Sequence, residues 1–520
     1  VSAPVLRVAN CSGFYGDRLS AAREMVEGGP IDVLSGDWLA ELTMLILAKA
    51  RARDPAGGYA RTFLVQMEQV LGTCLERGIK VVSNAGGLAP RALAEAVEAL
   101  GRRLGLSPRV AYVEGDDLMD RLGELRASGV ELRHLDTGEP LGSREVLTAN
   151  AYLGGWGIAN ALERGADVVV TGRVTDAALV IGPAAWHHGW ARDDWDALAG
   201  ALVAGHVIEC GAQATGGNYA FFSEVPGLVA PGFPIAEVAA DGSAVITKHP
   251  SHGGQVSRGT VTAQLLYEID GVRYLNPDVT ARFDTIQLED AGPDRVRIAG
   301  VRGEPPPATA KVALTCAGGW RTTVALAVTG LDVEEKAALA EAALWARVPG
   351  GRDAFDAVEV ELIRTDQADP PSNEAAMAEL RVTVRARNED RVGRALTGPL
   401  TELALANYPG FFVRSSVTQS YGVFWPAAVP ASLVRQRVVL GGVAEVVAPT
   451  LPPGGDATSE IPVREASAGP RAGTVAGDPR RGGARAEGPT RRVALGRLLG
   501  ARSGDKGGNA NVGVWARRAP

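Results

Sequence analysis

Lys80-Val81-Val82-Ser83-Asn84-Ala85-Gly86-Gly87-Leu88-Ala89-Pro90 reads as one unit: a short β-branched run, a turn of small polar residues and glycine, and a proline that opens a helix. Beyond Pro90, Leu93, Ala96, Val97, Leu100 and Leu104 fall on one helical face. The same unit recurs on both sides. Val5 to Ala9 leads through Asn10-Cys11-Ser12-Gly13-Phe14-Tyr15-Gly16-Asp17 into a predicted helix over 19–27. Ile31 to Leu34 leads through Ser35-Gly36-Asp37 into a predicted helix over 38–51, with Leu39, Leu42, Ile46 and Ala50 at helical spacing. Val110 to Val113 leads into Glu114-Gly115-Asp116-Asp117, and Asp167 to Val170 leads through Thr171-Gly172-Arg173-Val174-Thr175-Asp176 into a helix from Ala177. Strands alternating with helices call for a mainly parallel α/β sheet, Rossmann-like in its strand-turn-helix units, because crossover helices leave successive strands parallel. An open sheet is favoured over a barrel, since the repeats turn irregular after about Ile181.

After about residue 220 the texture becomes antiparallel, with Asp241-Gly242 as a turn and Gly253-Gly254 as a break. Strand 322–328, helix 333–345, strands 357–364 and 378–387, and helix 391–406 spell a mixed α+β region. A last strand at 434–440 would complete it as ferredoxin-like. Residues 451–491, dominated by Pro, Gly, Ala and Arg, read as a flexible linker, and 492–520 as a short hairpin. The expected division is therefore 1–220, 221–450, the linker and the hairpin.

The composition narrows the function. With 520 residues, 46% of them hydrophobic and 22% charged, the chain has ample material for large cores. Lys and Arg number 53 against 60 Asp and Glu, a net charge of −7, so no overall positive field attracts nucleic acid or an anionic membrane. Arg480, Arg481, Arg485, Arg491 and Arg492 lie among Gly, Ala and Pro and read as a solvated tether. No apolar run approaches the roughly 20 residues of a membrane span, and the first residues lack a secretory signal, so a cytoplasmic protein is expected. Cys11, Cys74, Cys210 and Cys316 form no CxxC pair, and six histidines, with His187-His188 adjacent, give a poor ligand set for zinc. Neither GxGxxG nor a P-loop occurs, so no organic cofactor is expected; a divalent cation is left open. Glycine is the outlier, at 65 of 520 against an average of roughly 7%.

In a parallel sheet the loops after the strands converge at the carboxyl edge, where helix N-termini also point. That places Ser12, Asp17, Asp37, Asn84, Asp116, Asp117, Arg173 and Asp176 around one polar cleft. Asp37, Asp117 and Asp176 precede predicted helices, so each is either an N-cap or a site carboxylate. Glu41, one helical turn beyond Asp37, would share its face and could divide acid and base roles with it or hold a cation. The Asn84-Ala85-Gly86-Gly87 turn suits a carboxylate or phosphate. His206 and Glu209, three apart, would share a helix face beside Cys210 and the Thr215-Gly216-Gly217-Asn218 turn. Cys210 itself reads as an inert buried thiol before it reads as a nucleophile.

Ser12 to Arg18, Gly36-Asp37-Trp38-Leu39-Ala40-Glu41-Leu42-Thr43-Met44, Asn84-Ala85-Gly86-Gly87, Thr171 to Ala178, Gly205-His206 through Cys210, Thr215 to Asn218, Gly232 to Glu237, Gln264 to Ile269 and Pro277-Asp278-Val279 together resemble the acyclic terpene utilisation (AtuA) family through about residue 450. Arg502-Ser503-Gly504-Asp505-Lys506-Gly507-Gly508-Asn509 is similar to the opening of the small ferredoxin-like domain that often follows in that family, where further elements are expected. The resemblance implies a place in acyl-CoA breakdown of acyclic terpenoids, beside carboxylases and enoyl-CoA hydratases. The expected function is a homo-oligomeric enzyme without a redox cofactor, of hydratase, lyase or hydrolase type, that acts on a small carboxylate or acyl thioester. Asn84, Gly86, Gly87 and Arg173 would hold the anionic group, with Ser12, Asp17, Gly216, Gly217 and Asn218 around it. Asp37, Glu41, Asp176, His206 and Glu209 would move protons. The alternatives are a non-catalytic ligand-binding subunit that partners a carboxylase or hydratase, and a divalent-metal enzyme.

Overall fold

The computed structural model describes residues 5–454, 493–506 and 509–516, so most of the expected linker lies outside the described residues. The chain divides into two compact units, Val1–Thr315 with Phe424–Pro520, and Cys316–Val423.

The first unit is built on one sheet. In spatial order its strands are Gln287–Asp290, Val296–Ala299, Ala244–Lys248, Pro234–Val238, Leu6–Asn10, Val33–Gly36, Lys80–Ser83, Val168–Thr171, Val110–Glu114, Gln436–Leu440 and Val443–Val447. The five from Leu6–Asn10 to Val110–Glu114 run parallel, as the strand-turn-helix units require, and the sheet is open. The flanking strands are antiparallel. The expected boundary near residue 220 is corrected by this pairing. Pro234–Val238 satisfies the otherwise bare edge of Leu6–Asn10, so the antiparallel strands extend the first sheet instead of opening a new domain. Asp241-Gly242 does turn the hairpin between Pro234–Val238 and Ala244–Lys248.

The central strands are buried on both faces and carry β-branched side chains, and the crossover helices seal them. Helix Pro90–Arg103 packs Leu93, Val97 and Leu100 into the core with Val81, Val168 and Val170, as its periodicity predicts. The second predicted helix differs. It starts at Glu41, not Trp38, and buries Thr43, Met44, Leu45 and Leu47 while exposing Leu42 and Ile46. Residues 38 and 39 stay out of the helix because side chains from other loops occupy their backbone groups: Asn84 accepts from Trp38 N, Asp37 from Leu39 N, and Arg173 donates to Leu39 O.

The second unit has the order Ala357–Ile363, Met377–Ala386, Thr309–Thr329 and Phe412–Pro430, the two long strands running on into the first unit. With helices Val333–Arg347 and Glu389–Glu402 this is the ferredoxin-like pattern, Met377–Ala386 pairing antiparallel with both Ala357–Ile363 and Thr309–Thr329. Val324, Leu326, Leu380, Val382 and Val384 pack on Ala337, Leu344, Val392 and Leu396. The completing strand is Phe412–Pro430. The expected one, 434–440, instead pairs with Val110–Glu114 in the large sheet.

The C-terminal hairpin pairs Leu499–Lys506 with Asn509–Ala516. Two strands alone are marginal in water, and this pair docks on the first unit. Asn511 Nδ2 donates to Leu266 O at 2.8 Å and Ile269 O at 3.0 Å, Asn511 Oδ1 accepts from Glu268 N at 3.1 Å, and Arg502 lies 4.3 Å from the Tyr267 ring centre. These bonds hold Glu268 at φ +61°, a left-handed conformation a glutamate adopts rarely. Asn511→Ala is expected to cost the docked hairpin about 1–3 kcal/mol through the three groups left unpaired. Limited proteolysis should then cut within 499–516 faster than in the parent chain; equal rates would show that the other contacts suffice.

Candidate functional site

The parallel strands end at Asn10, Gly36, Ser83, Glu114 and Thr171, all on one edge. Three loops on that edge are locked together by side chains. Asn84 Nδ2 donates to Asp37 Oδ1 at 2.5 Å, Asn84 Oδ1 accepts from Trp38 N at 2.8 Å, and Leu39 N donates to Asp37 Oδ1 at 3.0 Å. Arg173 reaches in from the third loop, Nη1 donating to Leu39 O at 2.9 Å and to Asp176 Oδ1 at 3.0 Å. Its guanidinium stacks 4.5 Å from the centre of the Tyr152 ring, whose hydroxyl donates to Glu41 Oε1 at 3.1 Å. Lys311 Nζ is 5.0 Å from the same ring centre.

Neither Asp37 nor Asp176 is a helix cap. The helix after Asp37 is preceded by Ala40 and the helix after Asp176 by Ala177, and neither helix start has a side-chain cap. The carboxylates instead surround a cation. Asp37 is 6% exposed and Arg173 3%. Burial pushes the Asp37 carboxyl well above the usual carboxylate range and the nearby Asp176 charge adds to it; Arg173 and the bonds from Asn84 and Leu39 offset only part. Burial works against the charge of Arg173 too, but Tyr152, Asp176, Glu41 and Asp37 outweigh it and hold the guanidinium firmly protonated. The Nε and Nη2 donors of Arg173 have no protein partner among the described residues. A buried cation with free donors, beside one carboxyl pushed up by burial and one ion-paired, can grip an anionic oxygen and exchange protons with the atoms next to it.

Asn150, Tyr152 and Lys311 are site residues that the sequence did not single out, whereas Asp116 was expected at the cleft. Asp116 Oδ2 accepts from Asn150 Nδ2 and from Arg173 N, both at 2.8 Å, and so fixes the loop that delivers Arg173. Burial pushes this carboxyl up to about 7. Asn150-Ala151-Tyr152-Leu153-Gly154-Gly155 repeats the strand-then-glycine signature and could have been found by it. Lys311 carries no such signal; it arrives on the strand Thr309–Thr329, whose Lys311 O accepts from Tyr152 N.

Other expected residues lie elsewhere in the design. The amides of the Asn84-Gly87 turn do not form an open anion cradle: Ala85 N bonds Ser83 Oγ, Gly87 N bonds Asn84 O, and Leu88 N bonds Gly58 O. Gly86 serves close packing, since a Cβ there would collide with Thr171 O and Pro90. Asp17 accepts from Gly13 N and Arg18 N, and Ser12 Oγ donates to Phe14 O, so both shape the first loop. Gly216, Gly217 and Asn218 make a turn in which Gly217 N bonds Ala212 O. His206 and Glu209 do meet, Nδ1 to Oε1 at 3.3 Å, on helix Trp195–Ile208 and its cap. The ring is only 2% exposed, bonded through Nε2 to Gln264 O and packed on Tyr274 and Phe283, so the pair is enclosed. Burial, then the charges of Glu209, Glu268, Asp37 and Asp176, push the Cys210 thiol well up, which opposes a thiolate nucleophile. Among the described residues no three His, Cys, Asp or Glu side chains converge as metal ligands, and no helix is long and apolar enough to cross a membrane.

Comparison with curated proteins and with solved structures gives no match. The pattern of the acyclic terpene utilisation family protein AtuA matches residues 6–440, which takes in every strand of the parallel core and every residue of the Asp37–Arg173–Asp176 cluster. The chain therefore belongs to the AtuA family, which is linked to acyclic terpene utilisation.

Proposed function

We propose that this protein is an acid/base enzyme acting on a small carboxylate or acyl thioester, by adding or removing water or cleaving a bond next to the carbonyl. One observation carries the reading: the buried Arg173 guanidinium is paired with Asp176 and bonded to Leu39 O, near Asp37, whose carboxyl burial pushes well above the usual carboxylate range. A buried carboxyl beside an ion-paired one can supply an acid and a base at one site. Arg173, through Nε and Nη2, binds the substrate carboxylate or the carbonyl oxygen on which negative charge develops. Asp37 donates the proton, and Asp176 or Glu41 accepts one. Tyr152 sets the plane of Arg173 by stacking, and Lys311 adds positive potential at the same ring. His206 and Glu209 support the helix end from inside. The family's link to acyclic terpenes makes branched acyl groups the first substrates to try.

The test is incubation of the purified protein with short branched and terpenoid acids and their CoA thioesters, followed by mass. Gain or loss of water, or cleavage to a smaller acid, is expected, and Asp37→Asn, which keeps the accepting oxygen, should lower turnover about 100-fold or more. Full turnover in Asp37→Asn removes the assignment. Binding without any mass change supports a ligand-binding subunit instead.

A further inference from the structure

The second unit holds a cavity of about 560 Å³ with Arg385, Arg387 and Arg391 on its walls, together with Asp356, Gly318 and Tyr421. In a chain of net charge −7, three arginines and a single aspartate lining one cavity depart from the background. Asp356 is already engaged. Its Oδ2 accepts from Arg387 N at 3.0 Å, its Oδ1 from Arg391 Nη1 at 3.2 Å, and its own N–H bonds Arg385 O at 2.9 Å. It therefore ties the strand end that carries Arg385 and Arg387 to the helix that carries Arg391, and the Arg387 guanidinium has no protein partner among the described residues.

A second observation points the same way. Arg385 lies directly opposite Arg321 in the antiparallel ladder, and like charges in that position destabilise a sheet. Its carboxylate neighbour, Glu359 at 3.2 Å, has a side chain 66% exposed and offers little compensation. An anion in the cavity would relieve this repulsion. Gly318 lets the Tyr421 ring lie against its strand, where a Cβ would overlap the ring, and so an aromatic wall bounds the basic one.

We propose that this cavity binds a phosphate-bearing small molecule with a planar ring, its phosphate held by Arg385, Arg387 and Arg391 and its ring stacked on Tyr421. Guanidinium forks match phosphate oxygens, and an aromatic face accepts a base without reading its edge. The site is independent of the acid/base reading of the first unit.

The experiment is calorimetric titration of the full chain at low salt with ADP and, separately, with inorganic pyrophosphate. Saturable binding of ADP is expected, weaker by about tenfold or more in Arg387→Gln, since one charge-assisted hydrogen-bonding group is lost. Tyr421→Leu should weaken ADP while leaving pyrophosphate unchanged. Arg385→Gln should raise the melting temperature of the unliganded protein and reduce its stabilisation by ADP. No saturable binding of either probe, or ADP binding that survives Arg387→Gln unchanged, overturns the proposal. Pyrophosphate binding as tight as ADP removes the ring and Tyr421 from it. Asp37→Asn should leave all these titrations as in the parent chain.

Discussion

Arg173→Met is expected to lower the unfolding free energy by about 3–5 kcal/mol, the usual cost of removing one partner from a buried charge cluster. Methionine keeps most of the volume, so the loss is electrostatic. Asp176 loses its ion pair at 3.0 Å, Leu39 O loses its donor at 2.9 Å, and the stack on Tyr152 disappears. Arg173→Lys should cost less but still fall short of the parent, because one ammonium on a flexible stem cannot serve Leu39 O, Asp176 and the ring together. Denaturant midpoints report all three proteins. Combining Arg173→Met with Asp176→Asn should recover part of the loss, since the uncompensated carboxylate is removed along with the cation. If the double variant were as unstable as the sum of the singles, Asp176 would not be the partner through which Arg173 acts.

The second large effect depends on pH. The Asp116 carboxyl is pushed up to about 7 in the fold, chiefly by burial, against about 4 in an unfolded chain. Between those values the native state keeps a proton that the unfolded state has released. The contribution to stability is therefore complete below about pH 4, declines as pH rises to about 7, and is absent above, a change on the order of 3–4 kcal/mol. Asp116→Asn removes this part of the pH dependence. The amide oxygen can still accept from Asn150 and from Arg173 N. Asp278, pushed up to about 6 by burial, contributes in the same direction in both proteins, so the informative quantity is the difference between the two curves. Stability by chemical denaturation at pH 4.5 and pH 8 should show Asp116→Asn relatively more stable at the higher value. A constant difference across that range would place the Asp116 proton elsewhere.

Much of the site was legible because of where loops lie in a parallel sheet. Asp37, Asn84, Arg173 and Asp176 each follow a β-branched run, so their meeting at the carboxyl edge follows from topology once the strands are parallel. Glu41 and Tyr152 join them through one hydrogen bond. The glycine turn after Ser83 was misleading for a local reason. Its composition suits an anion cradle, yet the Ala85 and Gly87 amides, and that of Leu88 just after, are used by Ser83, Asn84 and Gly58, and no property of the turn residues themselves reveals that. His206 and Glu209 had the right spacing to pair, but spacing says nothing of the aromatic rings that enclose the imidazole.

The amino-acid sequence by itself determined the parallel α/β core, the open polar edge, the mixed region that follows and the family, because alternating strand and helix periods and turn residues are local properties of the chain. Tertiary structure alone decided which strand completes the ferredoxin-like sheet, that Pro234–Val238 covers the edge of Leu6–Asn10, and that Lys311 reaches Tyr152. Those outcomes depend on pairing between segments far apart in the chain, where several β-branched runs compete for the same partner. It also decided which carboxyls are buried beside Arg173, and burial, which neither residue type nor spacing specifies, is what pushes the Asp37 and Asp116 carboxyls up.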